Sequence, residues 1–323
     1  MKLAGAHGDG LQVAGRLTSS YTANGRRQPA GFEFTGRLTP AVRLPQKEHP
    51  MSASHDSATV VSLWRYPVKS MQGEELNASI VGEHGLLGDR AYALVDAADG
   101  KVASAKNPRK WPNLFSFRAN YTETPRSGAG PAPVRIALPD GAVLDGGQAD
   151  LSAALKPVLG RDVVLKSAAP EKPVLEEYWP DIQGLNHRDA VTDEHMPAGL
   201  FFDLATIHLV TTATLDRLRS LYPQGRFEVR RFRPNIVAAV DGEPQAFAEN
   251  HWVGRTLSLG SEVRLKVIRP CGRCVMTTLA QYELPHDTGI LKTAVQHNGG
   301  NVGVYASVER GGTVRRGDRI RVE

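Results

Sequence analysis

The segment Arg269-Pro-Cys-Gly-Arg-Cys274 holds both cysteines of this 323-residue chain. A thiolate is the soft side chain that metal coordination, disulfide exchange and nucleophilic attack all use. Arg269 and Arg273 stand beside the pair, and nearby guanidinium charge favours ionised sulfur. The segment therefore suits a metal or an anionic cofactor. A Cys-x-x-Cys redox pair usually opens a helix inside a βαβ unit, and no helical period follows Cys274. A structural zinc site needs four ligands, and the next histidines, His286 and His297, are too far apart for a finger. Two cysteines exclude a four-cysteine iron–sulfur cluster. A buried pair with no further role stays open as the bland alternative.

The elements around this segment are expected to be mostly strands. Residues 262–268 alternate polar and apolar side chains, and 275–279 are rich in β-branched residues, so the cysteines are expected in a loop between two strands. Upstream, 60–66 reads as a strand ending at Pro67. Asp99-Gly100 and Asp140-Gly141 mark hairpins. A helix is expected over 150–159, opened by Asp150 and closed by Gly160. Residues 168–200, rich in Pro, Asp and His, read as a long connection. A strand at 207–210 leads to a helix capped by Thr211 or Thr212, with Leu215, Leu218 and Tyr222 on one face and Pro223 stopping it. Strands at 227–240, 256–259, 303–308 and 319–322 complete an α+β, β-rich fold of two barrel-like units with few short helices.

The net charge of +5 and pI near 9.2 raise the question of nucleic acid. Residues 1–50 carry seven Lys or Arg against three Asp or Glu, and the remaining 273 residues carry 32 against 31. The basic excess belongs to the head, so a duplex binder with a basic folded face is disfavoured. Residues 1–57 read as a disordered leader or a misassigned start, with Met51 as the alternative initiator. No apolar run approaches a membrane span, and no secretory signal pattern is present. A cytoplasmic protein with no membrane span is the expectation.

Several segments read together: Tyr66-Pro-Val-Lys-Ser70, Gly85-Leu-Leu-Gly-Asp-Arg90, Phe232-Arg-Pro-Asn-Ile236, and Pro270-Cys-Gly-Arg-Cys274 followed by Thr277-Thr278. In this order they resemble the MOSC-domain family, in the branch similar to the mitochondrial amidoxime-reducing component and its bacterial homologues. The resemblance implies a MOSC N-terminal β-barrel domain over 58–180 and a MOSC domain over 181–323.

It also implies a molybdenum–pterin cofactor (Mo-molybdopterin), with Cys274 as metal ligand and catalytic centre and Cys271 structural. The other implied cofactor contacts are Lys69, Ser70, Arg90, Arg233, Asn235, Gly272 and Arg273, together with Asp203, Leu204 and Ala205 in the loop before the 207–210 strand. There the family carries hydroxyls and this chain carries small apolar residues, so backbone contacts are expected in place of side-chain ones. His208, inside an apolar strand, reads as a core histidine. The implied activity is reduction of N-hydroxylated compounds, with electrons from a separate ferredoxin- or cytochrome-type protein and its reductase. The alternative is a sulfur carrier or cofactor-handling protein using a Cys274 persulfide. A full cofactor sulfurase would need a pyridoxal-phosphate lyase domain that two β units in 323 residues leave no room for.

Overall fold

A computed structural model describes residues 56–242 and 246–323; all but the last two residues of the expected leader lie outside them. The centre of the fold is a closed seven-strand barrel. Its strands run in the order Ser57–Arg65, Ile236–Val240, Ile207–Thr211, Asn301–Arg310, Val263–Gly272, Thr256–Leu259 and Arg319–Val322, and the last pairs back to the first. The 207–211 and 236–240 pair is parallel, and the others are antiparallel. Closure leaves no open edge.

Alternation along these strands sorts their side chains. Leu63, Leu209, Ile236, Leu265, Val267, Val304, Ala306 and Ile320 join one core cluster. Val210 and Val237, each one residue out of phase, and Val302, which lies beyond a bulge in the pairing of its strand, join a second cluster with Leu215, Leu218, Phe232 and Ile290. The period of two thus gives the barrel wall an interior face and a helix-covered face. The crossover between the parallel strands includes the helix Thr212–Leu221, whose amide at Thr214 donates to the Thr211 hydroxyl, the expected N-cap.

Residues 66–166 build a separate core from Val68, Met71, Phe117, Ile136, Leu155 and Leu159 under two small sheets. The helix Leu151–Leu159 stops at Gly160, where φ is 69°, a conformation glycine adopts without a Cβ penalty. Both Asp-Gly turns close hairpins. The first strand, Ser57–Arg65, precedes this unit in sequence yet is hydrogen-bonded between two strands of the C-terminal half.

Three local expectations are corrected. Residues 275–278 form a 3-10 turn, because Thr277 and Thr278 hydroxyls return to the carbonyls of Cys274 and Val275 and reward the turn over extension. Residues 229–232 are a short helix ahead of the strand beginning at Ile236; four residues are too few to register a helical period. The connection 168–200 contains an antiparallel hairpin, Val174–Trp179 with Ala190–His195. Its strands are punctuated by charges that pair across the surface, which hid the alternation. Among the described residues no helix is long and apolar enough to cross a membrane.

Candidate functional site

The loops leaving the barrel meet over its outer wall. His208 and Tyr305 are register partners, as are Arg269 and Tyr305. Leu209, Val304 and Ala306, the sequence neighbours of His208 and Tyr305, belong to the barrel core, so those two side chains face outward, and Arg269 lies opposite Tyr305 in the ladder. They floor a cavity of about 470 Å³. The pairing of the 263–272 strand slips twice, between Val267 and Arg269 and between Pro270 and Gly272. Such bulges re-aim side chains beside functional sites, and here they deliver Arg269, Gly272, Arg273 and Cys274 to the cavity.

Nine of the eleven residues singled out in the sequence line this one cavity: Lys69, Ser70, Arg90, Asp203, Leu204, Arg233, Gly272, Arg273 and Cys274. Ala205 and Asn235 do not. Asn235 is buried, and its amide nitrogen donates to Asp89 Oδ2 at 2.8 Å and to the Trp64 carbonyl at 3.3 Å. Both its protons are spent inside the protein, so it braces the carboxylate that pairs with Arg90. The Asp203 carboxylate pairs with Lys69 and, at 3.3 Å, with Lys106. Leu204 is half exposed at the rim.

The backbone marks the same place. Ser70, Arg90 and Arg233 have φ of 62°, 50° and 52°, three of seven non-glycine residues with positive φ among those described. Each such residue costs about 1 kcal/mol or more and persists where surrounding structure overrides it. Three at one cavity is the pattern of a site held in shape by its neighbours.

The charges are unbalanced. Lys69, Lys106, Arg90, Arg233 and Arg273 contribute five buried or largely buried cations, and Asp89, Asp203 and Glu177 supply three carboxylates in their ion pairs. Burial pulls the Lys69 ammonium below its usual range despite Asp203. Burial also lowers Arg233 to about 10, with the Arg90 charge adding to the effect. Burial opposes the charge on Lys106 as well, but Asp203, Cys274 and Glu177 outweigh it and hold that ammonium well above its usual value. A surplus of buried positive charge is costly without an anion to offset it.

The two thiols differ. Cys271 is fully buried, and its Sγ accepts from Arg273 Nη1 at 2.8 Å. Burial alone would raise this thiol, but Arg273 and His208 outweigh that and lower it. Cys274 is half-buried, lines the cavity and starts the 275–278 turn. Burial, aided by the Glu177 charge, raises its thiol to about 11 against the pull of Lys106 and Arg273. His208 is buried as expected, with Nε2 3.0 Å from the Val302 carbonyl, but it also lines the cavity.

Sequence reasoning passed over Lys106, Glu177, Tyr305, Asn301 and the hairpin residues Trp179 and Glu194, all cavity liners. The available signal was the run Val174–Trp179, whose odd positions share one face. Gly303 was also missed: at φ 81° an added Cβ would lie 2.4 Å from the Leu209 carbonyl oxygen and 2.5 Å from His208 Nε2.

Family models match the chain twice. The MOSC N-terminal beta barrel domain matches residues 57–146, and the MOSC domain matches residues 199–321. The chain belongs to the MOSC-domain family. Curated relatives include mitochondrial amidoxime reducing component 2 of Macaca fascicularis and of Homo sapiens. Each is 27% identical over 293 residues, 81% of this chain and 82% of the relative. Mitochondrial amidoxime-reducing component 1 of Xenopus laevis is 27% identical and covers 81% of both chains. Among solved structures, the YuaD protein of Bacillus subtilis is 14% identical, covers 82% of this chain and 95% of its own, and has a TM-score of 0.42.

The residues present fit a phosphate-bearing metal cofactor of the kind this MOSC family implies. Arg273 donates through Nη1 to Cys271 and through Nη2 to the Phe232 carbonyl, while its buried Nε has no partner among the described residues. An orphaned guanidinium donor in a cationic wall calls for an anionic acceptor. Among the described residues no group of three His, Cys, Asp or Glu could hold a metal alone. A metal bound at Cys274 would therefore need to bring its remaining ligands with it, which a dithiolene cofactor does.

Proposed function

We propose that this MOSC protein binds a molybdenum–pterin cofactor in the cavity and reduces N-hydroxylated compounds with electrons from a separate donor protein. The observation that carries the reading is the meeting, in one cavity, of the Cys274 sulfur and a surplus of buried cations, among them Arg273 with its unsatisfied Nε. The relatives named amidoxime reducing components supply the reaction class.

In this reading Cys274 offers the one protein sulfur to the metal, and Arg273, Arg233, Arg90 and Lys69 hold the anionic end of the cofactor. Asp89 and Asp203 keep two of these cations charged and aimed. Ser70 Oγ accepts from the Ala105 amide at 3.1 Å, so its proton is free to donate. Phe232 and Met276 supply apolar wall that excludes water near the sulfur. When bound, the cofactor supplies the two-electron chemistry that breaks the N–O bond. The balanced change is amidoxime plus two electrons and two protons to amidine plus water.

The full chain, purified from cells that make the cofactor, is expected to convert benzamidoxime to benzamidine with a reduced viologen dye or a donor protein, and not with pyridine nucleotide alone. Molybdenum-loaded protein that leaves amidoximes and N-hydroxyguanidines untouched by reduced dye would overturn the proposal. So would a labile persulfide on Cys274 in protein without molybdenum.

A further inference from the structure

The hairpin Val174–Trp179/Ala190–His195 gives the cavity a side unlike the rest. Glu177 faces Thr192 across the ladder and Leu175 faces Glu194, so Glu177, Trp179, Thr192 and Glu194 share one face. The other face carries Glu176 and Asp193, which pair with Lys101. The hairpin is docked by the Val174 carbonyl, which accepts from Val102 N at 2.8 Å, and by the Tyr178 amide, which donates to the Lys106 carbonyl at 2.8 Å. Its inner face is therefore held against the cavity.

On that face the polar groups form a directed chain. Trp179 Nε1 donates to Thr192 Oγ1 at 2.9 Å, and Thr192 Oγ1 donates to Glu194 Oε1 at 2.7 Å. The indole is fixed further by the His187 ring, edge-on at 5.1 Å. The other cavity carboxylates, Glu177 and Asp203, already have lysine partners. Glu194 pairs with no cation among the described residues, and its Oε2 takes no hydrogen bond there. A braced carboxylate without a counter-ion beside a fixed indole is what recognises a planar cation.

We infer that Trp179 and Glu194 select cationic, planar N-hydroxyguanidine-type substrates over neutral N-hydroxy compounds of the same shape. This rests on the functional reading above, because it takes the cavity as the substrate site. The deep cationic wall and the hairpin then serve different molecules. Arg273, Arg233, Arg90 and Lys69 face the anionic cofactor, and the carboxylate and indole face the incoming cation.

The test uses the full chain as purified and two redox-inert probes, phenylguanidinium chloride and phenylurea, with calorimetry as the readout. Wild type is expected to favour the guanidinium. Glu194→Gln is expected to cut the guanidinium-to-urea affinity ratio about fivefold, and Trp179→Leu to cut it by a similar factor, as ion pairs and cation–π contacts in half-buried sites allow. Asp193→Asn removes the same charge from the opposite face of the same strand and is expected to leave the ratio in place. Thermal unfolding of each variant separates loss of selectivity from loss of fold. An equal ratio in wild type and Glu194→Gln overturns the inference, and so does an Asp193→Asn effect as large as that of Glu194→Gln. Guanidinium selectivity in a protein that never reduces N-hydroxyguanidine would sink the functional reading but keep this one. N-reduction without selectivity would do the reverse.

Discussion

Arg231 offers the sharpest quantitative test of how the cysteine loop is held. It is fully buried, and no carboxylate pairs with it among the described residues. Its guanidinium donates instead to four backbone carbonyls. These are Arg226 at 2.7 Å, Thr277 at 3.2 Å, Leu279 at 3.0 Å and Pro285 at 2.8 Å. Three of the four lie in the stretch that follows Cys274, so this side chain ties the 275–278 turn and its continuation to the helix Val229–Phe232. Hydrogen bonds to a charged donor net about 1.5–3 kcal/mol each, so four give at most roughly 6–12 kcal/mol. Against that stands the cost of burying an unpaired charge, several kcal/mol. Arg231→Met removes both and leaves four carbonyls short of a donor, for an expected net loss of about 3–5 kcal/mol. Urea unfolding of wild type and variant measures the loss directly. Hydrogen exchange at residues 277–285 is expected to rise ahead of exchange in the barrel strands. A loss under about 1 kcal/mol, or unchanged exchange in that stretch, would refute the clamp.

Other consequences follow from single contacts. Gly303→Ala places a Cβ against the Leu209 carbonyl and His208 Nε2 at a positive φ. A stability loss of about 2 kcal/mol or more is expected by chemical denaturation, and a change under about 0.5 kcal/mol would contradict it. Glu249 is buried among the hydroxyls of Thr211 and Thr214, and burial raises its carboxyl above the usual 4.5. A raised folded-state value means its stabilising contribution is full below pH 4.5 and is lost as pH climbs through the folded value. Glu249→Gln removes that dependence, so the variant should gain on wild type as pH rises from about 4.5 through the folded value. A stability gap that stays constant over that range would contradict the assignment.

The sequence carried most of the site because its chemistry sits in compact runs. Lys69-Ser70, Asp89-Arg90, Arg233 and Arg273-Cys274 each stand beside a turn-forming neighbour, and these turns deliver Lys69, Ser70, Arg90, Arg233, Arg273 and Cys274 to the cavity. Lys106, Glu177 and Tyr305 were not legible, since each is an isolated polar residue in an ordinary strand or loop. Only barrel closure and hairpin docking bring them to the sulfur. Asn235 shows the converse. It stands within a recognisable run, yet its amide is consumed by Asp89 and Trp64. The barrel strands were readable by alternation. The turns at 229–232 and 275–278 were not, because one turn of helix is shorter than the period that would reveal it and because tertiary hydrogen bonds to Arg231 decide its shape.

The central claim is that the Cys274 sulfur and the cationic wall behind it hold a molybdenum centre. The most direct measurement is molybdenum and pterin per chain, by elemental analysis and fluorescence, in wild type and Cys274→Ser expressed together with cofactor synthesis. About one molybdenum and one pterin are expected per wild-type chain, with clear loss of metal in the variant while the fold is kept. Wild-type protein that carries neither metal nor pterin under those conditions would contradict it, as would a Cys274→Ser protein that retains both in full.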